Sequence, residues 1–273
     1  MKKIVNIYNG YIASFDQGGG IKYIENLIKF QKKNFDKIFL LSLGSGKKKI
    51  IKINGTTVNF YPISKSHNWI TFLFKLFFFL KSNKNIFSNC NYHIHRIYFA
   101  PFIKIFKAKK IIVTIHTKTF DVFKHNYPYL KLLVPFFIMI EKIILKYCID
   151  ELSFAGIFSM NLYKFRHKKL KKKFWYLPPR FLFKKSNKSN YFKNENRKIV
   201  LVAGRLSVGK RPLIALKLFS NAIRKDKYIR DNFKLCFAGD GELLEDLKNF
   251  IKKNNLRKYI LPIKKVKSSL MPQ

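Results

Sequence analysis

Arg205, Lys210 and Arg211 crowd a short turn between Gly204 and Pro212 in the run KIVLVAGRLSVGKRP. An apolar stretch, Ile199 to Ala203, precedes the turn and reads as a buried strand. Pro212 stands where the first turn of a helix begins. The three cations therefore fall at the carboxyl end of a strand, the edge at which open α/β sheets bind ligands. The free N–H groups and partial positive charge of a helix N-terminus lie just beyond. Residues of these types in this order suit a phosphate or diphosphate.

Two further groups could do chemistry. Gly18, Gly19 and Gly20 follow a first strand, Lys3 to Tyr8, and precede Ile21, Ile24, Leu27 and Ile28 at helical spacing. A glycine-rich loop feeding a helix start lets a backbone approach a ligand closely, though an ordinary flexible turn reads the same way. His116 comes directly after the strand KIIVTI, Lys110 to Ile115, and so stands at a ligand-facing edge. His93 and His95, two apart in YHIHRI, share one side of a strand, but no third ligand falls in register with them, so no metal site is expected.

These groups need a framework, and the chain supplies alternating strands and helices. KIFLLS (37–42), Glu151 to Ala155 and FKLCFA (233–238) read as further strands. Helices are expected from about Phe158, over Leu213–Arg224 and over Leu243–Ile251, with one more strand within Leu256–Ile263. WITFLFKLFFFL (69–80) is too short to span a bilayer and reads as a core helix; the competing reading lays it in a membrane interface. YLKLLVPFFIMIEKIILKYC (129–148) is apolar enough to suggest a span, but Lys131, Glu141 and Lys142 argue for a buried amphipathic helix. Lys168–Lys173 reads as a solvated basic helix end, and Gly44–Lys49 as a basic loop. The pattern is an α/β fold with two doubly wound, Rossmann-like domains: an N-terminal domain over 1–183, a polar linker over 184–196, and a C-terminal domain over 197–273 that is incomplete.

Composition narrows the partners. The formal charge of +42 over 273 residues invites a nucleic-acid or anionic-membrane reading. Lys, Asn, Ile and Phe are abundant in every segment, however, which is a uniform bias and not the localised basic patch of a nucleic-acid footprint. Nucleic acid is therefore not expected, while peripheral contact with an anionic membrane is retained. Cys90, Cys148 and Cys236 show neither disulfide nor metal spacing, which fits a reducing cytoplasm.

Gly204 to Arg211 nearly satisfies the phosphate-loop pattern G-x-x-x-x-G-K-[ST]. Arg211 replaces the magnesium-binding hydroxyl and no aspartate ends a continuous apolar strand downstream, so a nucleotide hydrolase ranks last among the readings. GRLSVGKRPLIALKLF followed by LCFAGDGELLEDLK instead resembles the second domain of retaining GT-B glycosyltransferases of family 4, the glycosyl transferases group 1. The GGG loop, VTIHT, ELSFAG and LPPRF fall in the order that family shows. The resemblance implies two Rossmann-like domains facing a cleft, and transfer of a sugar from a nucleotide-diphosphate sugar to a glycan or lipid-linked acceptor. It implies the cytoplasm or the inner face of the membrane, and a role in bacterial surface polysaccharide or lipopolysaccharide synthesis. Arg205 and Lys210 would hold the donor diphosphate, Gly18–Gly20 would approach the phosphates or acceptor, and His116 would lie beside the donor sugar. Gly239, Asp240 and Gly241 would flank the nucleoside. No metal or cofactor is implied. Gly156 and the run Pro178–Pro179–Arg180 depart from the family's serine and asparagine–glycine pair. VKSSLMPQ resembles the segment before the family's paired glutamates, so the sequence predicts a truncated member, inactive alone or completed by another chain. The contrasting non-enzyme reading is a basic, membrane- or polyanion-binding remnant of the same fold.

Overall fold

The computed structural model describes residues 1–11, 19–66, 68–116, 132–178 and 195–261, the side chains of 19–22 excepted. Gly18, residues 179–180, most of the expected linker and the segment 262–273 lie outside the described residues. The chain divides into two compact units, Met1–Phe181 and Leu182–Gln273.

In the first unit the strands are β1 (Lys3–Tyr11), β2 (Lys37–Leu43), β3 (Lys49–Ile53), β4 (Thr56–Ser64), β5 (Asn91–Ile94), β6 (Lys110–Ile115), β7 (Glu151–Phe154) and β8 (Lys173–Tyr176). They form one sheet in the order β3-β4-β2-β1-β5-β6-β7-β8. Every pairing is parallel except β3 with β4, a hairpin turned by Asn54 and Gly55, both at positive φ. The chain builds outward from β1 to β2 and β4, then returns to place β5 on the other side of β1. The strand order thus reverses between β1 and β5. Such a switch point opens a crevice outside the carboxyl ends of the strands, and it is where a doubly wound sheet takes ligands.

Helices cover both faces, which is why the strands are apolar on both sides. On one face α1 (Gly19–Gln31) packs Tyr23, Ile24, Leu27 and Ile28 against Ile4, Ile38 and Leu40. On the other lie α2 (Trp69–Ser82), α3 (Lys84–Phe87), α4 (Ala100–Ile105), α5 (Val134–Tyr147) and α6 (Ile157–Arg166). Asn68 caps α2, its side-chain oxygen accepting from the N–H groups of Ile70 at 2.9 Å and Thr71 at 3.4 Å.

Two helices are less buried than the sequence predicts. Phe72, Leu76 and Leu80 of α2 are buried, but Trp69, Ile70, Phe74 and Phe78 are exposed. In α5, Val134, Glu141 and Leu145 face inward, while Phe136, Met139, Ile143 and Tyr147 face out beside Lys142 and Lys146. Both sequences are apolar around most of their circumference, so periodicity could not say which side the sheet would cover. No helix among the described residues is long and apolar enough to cross a membrane.

The second unit contains β9 (Lys198–Ala203), α7 (Pro212–Lys225), α8 (Lys227–Asn232), β10 (Phe233–Ala238) and α9 (Leu244–Lys253). β9 and β10 run parallel, and a single parallel bridge from Leu235 to Ile260 begins the expected third ladder. The core gathers Leu206, Leu216, Phe219, Ile223, Leu235, Phe237, Leu247 and Ile251. β9 was expected to be buried and is not: Val200 is 40% and Leu201 44% exposed. Among the described residues β10 is the only strand paired with it.

Candidate functional site

In the first unit, two histidines stand at the carboxyl ends of neighbouring strands, His95 one residue past β5 and His116 one residue past β6. β5 and β6 are parallel and hydrogen-bonded, so both rings reach the same edge, beside the switch point. His95 Nδ1 lies 2.9 Å from His116 Nε2. Tyr23 of α1 meets the His116 ring edge-on, with centroids 4.8 Å apart, and Tyr8 of β1 meets His95 at 5.8 Å. Burial, followed by the positive charge of Arg96, pushes His116 down to about 4. His95 is held well below the usual histidine range by burial first, then by His93, His116 and Arg96. Both rings are neutral at physiological pH.

His93 belongs to a separate, structural network. Asn6 Nδ2 donates to Gln31 Oε1 at 2.8 Å, and Gln31 Nε2 donates back to Asn6 Oδ1 at 2.9 Å. Gln31 Nε2 also points at His93 Nδ1 from 3.5 Å, which makes that nitrogen an acceptor and leaves the proton on Nε2. His93 Nε2 then donates to Thr114 Oγ1 at 2.6 Å, Thr114 continues to Ser153 Oγ at 2.6 Å, and Ser153 ends on the Val113 carbonyl at 3.3 Å. The chain of donors closes with its members satisfied, and burial drives His93 down to about 3. His93 and His95 do share one side of the sheet, as their spacing suggested, with rings stacked at 5.2 Å. No group of three potential metal ligands occurs among the described residues.

Hollows open in this unit among the described residues. One, of about 370 Å³, runs from Tyr23 and Phe30 of α1 to Tyr176, Leu177 and Pro178 after β8. Another, of about 510 Å³, lies at the ends of β1 and β2, among Tyr11, Gly44, Ser45, Lys49 and Asn54. Gly19 and Gly20 open α1, so its free N–H groups begin close after β1; Gly18 falls outside the described residues.

In the second unit the cationic turn is built as its sequence indicates. β9 ends at Ala203, Gly204 takes φ +140°, and Leu206 anchors the turn in the core. Val208–Lys210 makes one 3₁₀ turn, Arg211 sits in the left-handed region at φ 53°, and α7 starts at Pro212. Arg205, Lys210 and Arg211 are exposed, and none of them forms an ion pair among the described residues. The Gly239–Asp240–Gly241 turn after β10 locks onto this one. The Gly204 N–H donates to the Ala238 carbonyl and the Leu206 N–H to the Asp240 carbonyl, each at 2.9 Å. The Leu243 N–H donates to Leu206 at 3.0 Å, and Glu242 Oε1 accepts from the Val208 N–H at 3.1 Å. A Cβ on Gly239 would lie 1.8 Å from the Gly204 carbonyl oxygen, and one on Gly241 would lie 2.5 Å from that of Leu206. The space these glycines leave is therefore filled by backbone of the neighbouring turn. Asp240 Oδ1 accepts from its own neighbour, Gly241 N–H, at 2.8 Å.

Of the residues singled out in sequence, Arg205 and Lys210 share a turn with Gly239–Gly241 packed beneath it, while His116 and the Gly19–Gly20 helix start belong to the first unit. Sequence reasoning missed His95, Tyr23 and Tyr8. His95 falls inside the strand expected over YHIHRI, and only the end of β5 at Ile94 puts it at the same edge as His116; the tyrosines had no signal.

Residues 183–271 match the family described as Glycosyl transferases group 1. Among solved structures the chain is similar to the sucrose-phosphate synthase of Thermosynechococcus elongatus, with a TM-score of 0.71 and 12% identity over 98% of this chain and 71% of that one. It is similar also to the α,α-trehalose 6-phosphate synthase of Burkholderia multivorans, with a TM-score of 0.66 and 11% identity over 99% and 75%. The E. coli trehalose-6-phosphate protein bound with UDP-2-fluoro glucose superposes with a TM-score of 0.61 and 12% identity, over 99% and 75%. No curated protein matches the chain in sequence. The fold is thus of the GT-B type, and the match to the glycosyl transferases group 1 family is confined to residues 183–271.

Proposed function

We propose that this chain transfers a sugar, with retention of configuration, from a nucleotide-diphosphate sugar to a glycan or lipid-linked acceptor in surface polysaccharide synthesis. The observation that carries the reading is the turn after β9. Arg205 and Lys210 stand exposed and without ion pairs among the described residues, on a loop fixed by backbone hydrogen bonds and within the matched domain. As the bond between sugar and diphosphate breaks, negative charge builds on the leaving phosphate, and fixed cations stabilise that charge more than they stabilise the ground state. The N-terminus of α7, adjoining the same turn, adds its dipole. His116, a neutral imidazole, would meet a hydroxyl of the donor sugar, and Gly18–Gly20 would approach the phosphates or acceptor. Gly239–Gly241 would act on the nucleoside side by holding the cationic turn in shape. The hollow beside Ser45, Lys49 and Asn54 offers polar groups for an acceptor.

Calorimetric titration with UDP, GDP and ADP and a panel of their sugars tests this. Each of Arg205→Ala and Lys210→Ala should weaken diphosphate binding by roughly 10- to 100-fold, since hydrogen bonds to charged groups contribute about 1.5–3 kcal/mol. Undiminished binding in both variants would remove the cations from the site. A chain that binds no nucleotide sugar and releases no nucleoside diphosphate is not a transferase. The non-enzyme reading, a basic membrane-binding remnant, draws its support from the apolar faces of α2 and α5.

A further inference from the structure

The contact between His95 Nδ1 and His116 Nε2, 2.9 Å long, joins two neutral rings, and each ring carries a single proton. Two arrangements are open to such a pair. In the first, His95 donates from Nδ1, His116 accepts at Nε2, and the proton of His116 resides on Nδ1. In the second, His116 donates from Nε2, its Nδ1 is a bare acceptor, and the proton of His95 moves to Nε2.

The surroundings of His95 Nε2 choose between them. That atom is buried and has no hydrogen-bond partner. Its ring neighbours do not bond to it: His93 stacks on the ring with its own Nε2 committed to Thr114, and Tyr8 and Tyr23 lie across the ring in T-shaped contacts. The second arrangement would strand an N–H donor there, and buried orphan donors are the rarer and costlier defect. The first leaves only an unused lone pair.

We infer that His95 is a positioning residue that fixes His116 as the Nδ1–H tautomer, so that the nitrogen turned away from the pair is a hydrogen-bond donor and not a base. Among the described residues that Nδ1 has no partner. On the reading that His116 meets the donor sugar, on which this role rests, the ring presents an N–H to an acceptor oxygen of the sugar and takes no proton from it. Tyr23, packed 4.8 Å from the His116 ring, and Tyr8, 5.8 Å from that of His95, flank the pair, whose ring planes are tilted by 34°.

Nitrogen-15 spectra of the histidine-labelled full chain near neutral pH decide the matter without any substrate. The expected result is His116 protonated at Nδ1 and bare at Nε2, with His95 protonated at Nδ1. His95→Phe removes the donor, and His116 should then move toward the Nε2–H form that a free histidine side chain favours. His95→Gln, whose amide can still donate, should keep the Nδ1–H form. An Nε2–H signal from His116 in the unaltered chain, or an unchanged tautomer in folded His95→Phe, overturns the assignment. Should His95→Phe not fold, the unaltered chain and His95→Gln still give the answer. In sugar transfer, His95→Phe should lower kcat roughly tenfold or more with KM for the nucleotide sugar little changed, and His95→Gln should restore most of the loss. A chain that shows the Nδ1–H form but binds no nucleotide sugar refutes the transfer reading while leaving the tautomer supported.

Discussion

Glu141→Gln should make this protein more stable above neutral pH, by an amount that grows as pH rises from about 4.5 through about 7 and then levels off. Glu141 projects from the inner side of α5, accepts a hydrogen bond from the Tyr163 hydroxyl, and leaves its second oxygen buried without a partner. Burial pushes its carboxyl from the ordinary 4.5 up to about 7, against the smaller opposing pulls of Tyr163 and Arg166. A folded-state value above the unfolded one means that, between the two, the native chain holds a proton the unfolded chain has released. Stability is therefore fully present below about 4.5 and is lost as pH rises through about 7. At about 1.4 kcal/mol per tenfold change in proton affinity, the loss is on the order of 3 kcal/mol. Glutamine mimics the protonated acid, keeps an acceptor for Tyr163, and cannot ionise. Urea unfolding of both chains from pH 4.5 to pH 8 should give curves that converge at the acid end and diverge by a few kcal/mol at the alkaline end. The buried histidines 93, 95 and 116 act in the opposite sense, losing stability as pH falls below 6.5, but they are common to both chains and cancel in the difference. A difference between the chains that does not change with pH would show that Glu141 is not held neutral by burial.

Gly239→Ala should destabilise the second unit by roughly 1–3 kcal/mol or more, because the added carbon meets backbone that no rotamer change can move. Gly209→Ala, with nothing within 4 Å, should leave the unfolding midpoint nearly unchanged, and equal midpoints for the two variants would refute the packing argument. The double change Phe136→Ser with Ile143→Ser should weaken co-sedimentation with phosphatidylglycerol vesicles, and the unaltered chain's binding should fall with salt as Lys142 and Lys146 are screened. Vesicle binding indifferent to both would exclude α5 as a membrane contact.

What could be read in sequence was what is decided locally. The GRL turn, the GDG turn and His116 each follow an apolar strand within a few residues, and each stands where a strand ends. The Asn54–Gly55 turn was equally local, and its hairpin could have been found from that dipeptide. β8 hid inside a basic run, where Lys173 belongs to a strand and not to a helix end. The pairing of His95 with His116 depends on how β5 registers against β6, a fact carried by no single segment. The same holds for Glu141. In sequence it is a charge that argues against a membrane span; in the fold it is an acid whose carboxyl burial pushes up to about 7. The exposure of β9 also escaped, because an apolar run states what a strand can bury and not what arrives to cover it.

The fit of Gly239 and Gly241 against Gly204 and Leu206 changes how the motif itself can be used. Two turns that touch backbone to backbone constrain each other's sequence whether or not anything binds above them. A descendant that had lost every substrate would still be selected to keep these glycines, since without them the domain would not close. The glycines therefore testify to ancestry and foldability. The cations, which form no ion pair among the described residues, are the residues free to drift once catalysis is abandoned. Across related chains, retention of Arg205 and Lys210 beside an invariant glycine pair would mark working enzymes, and glycines without the cations would mark relics.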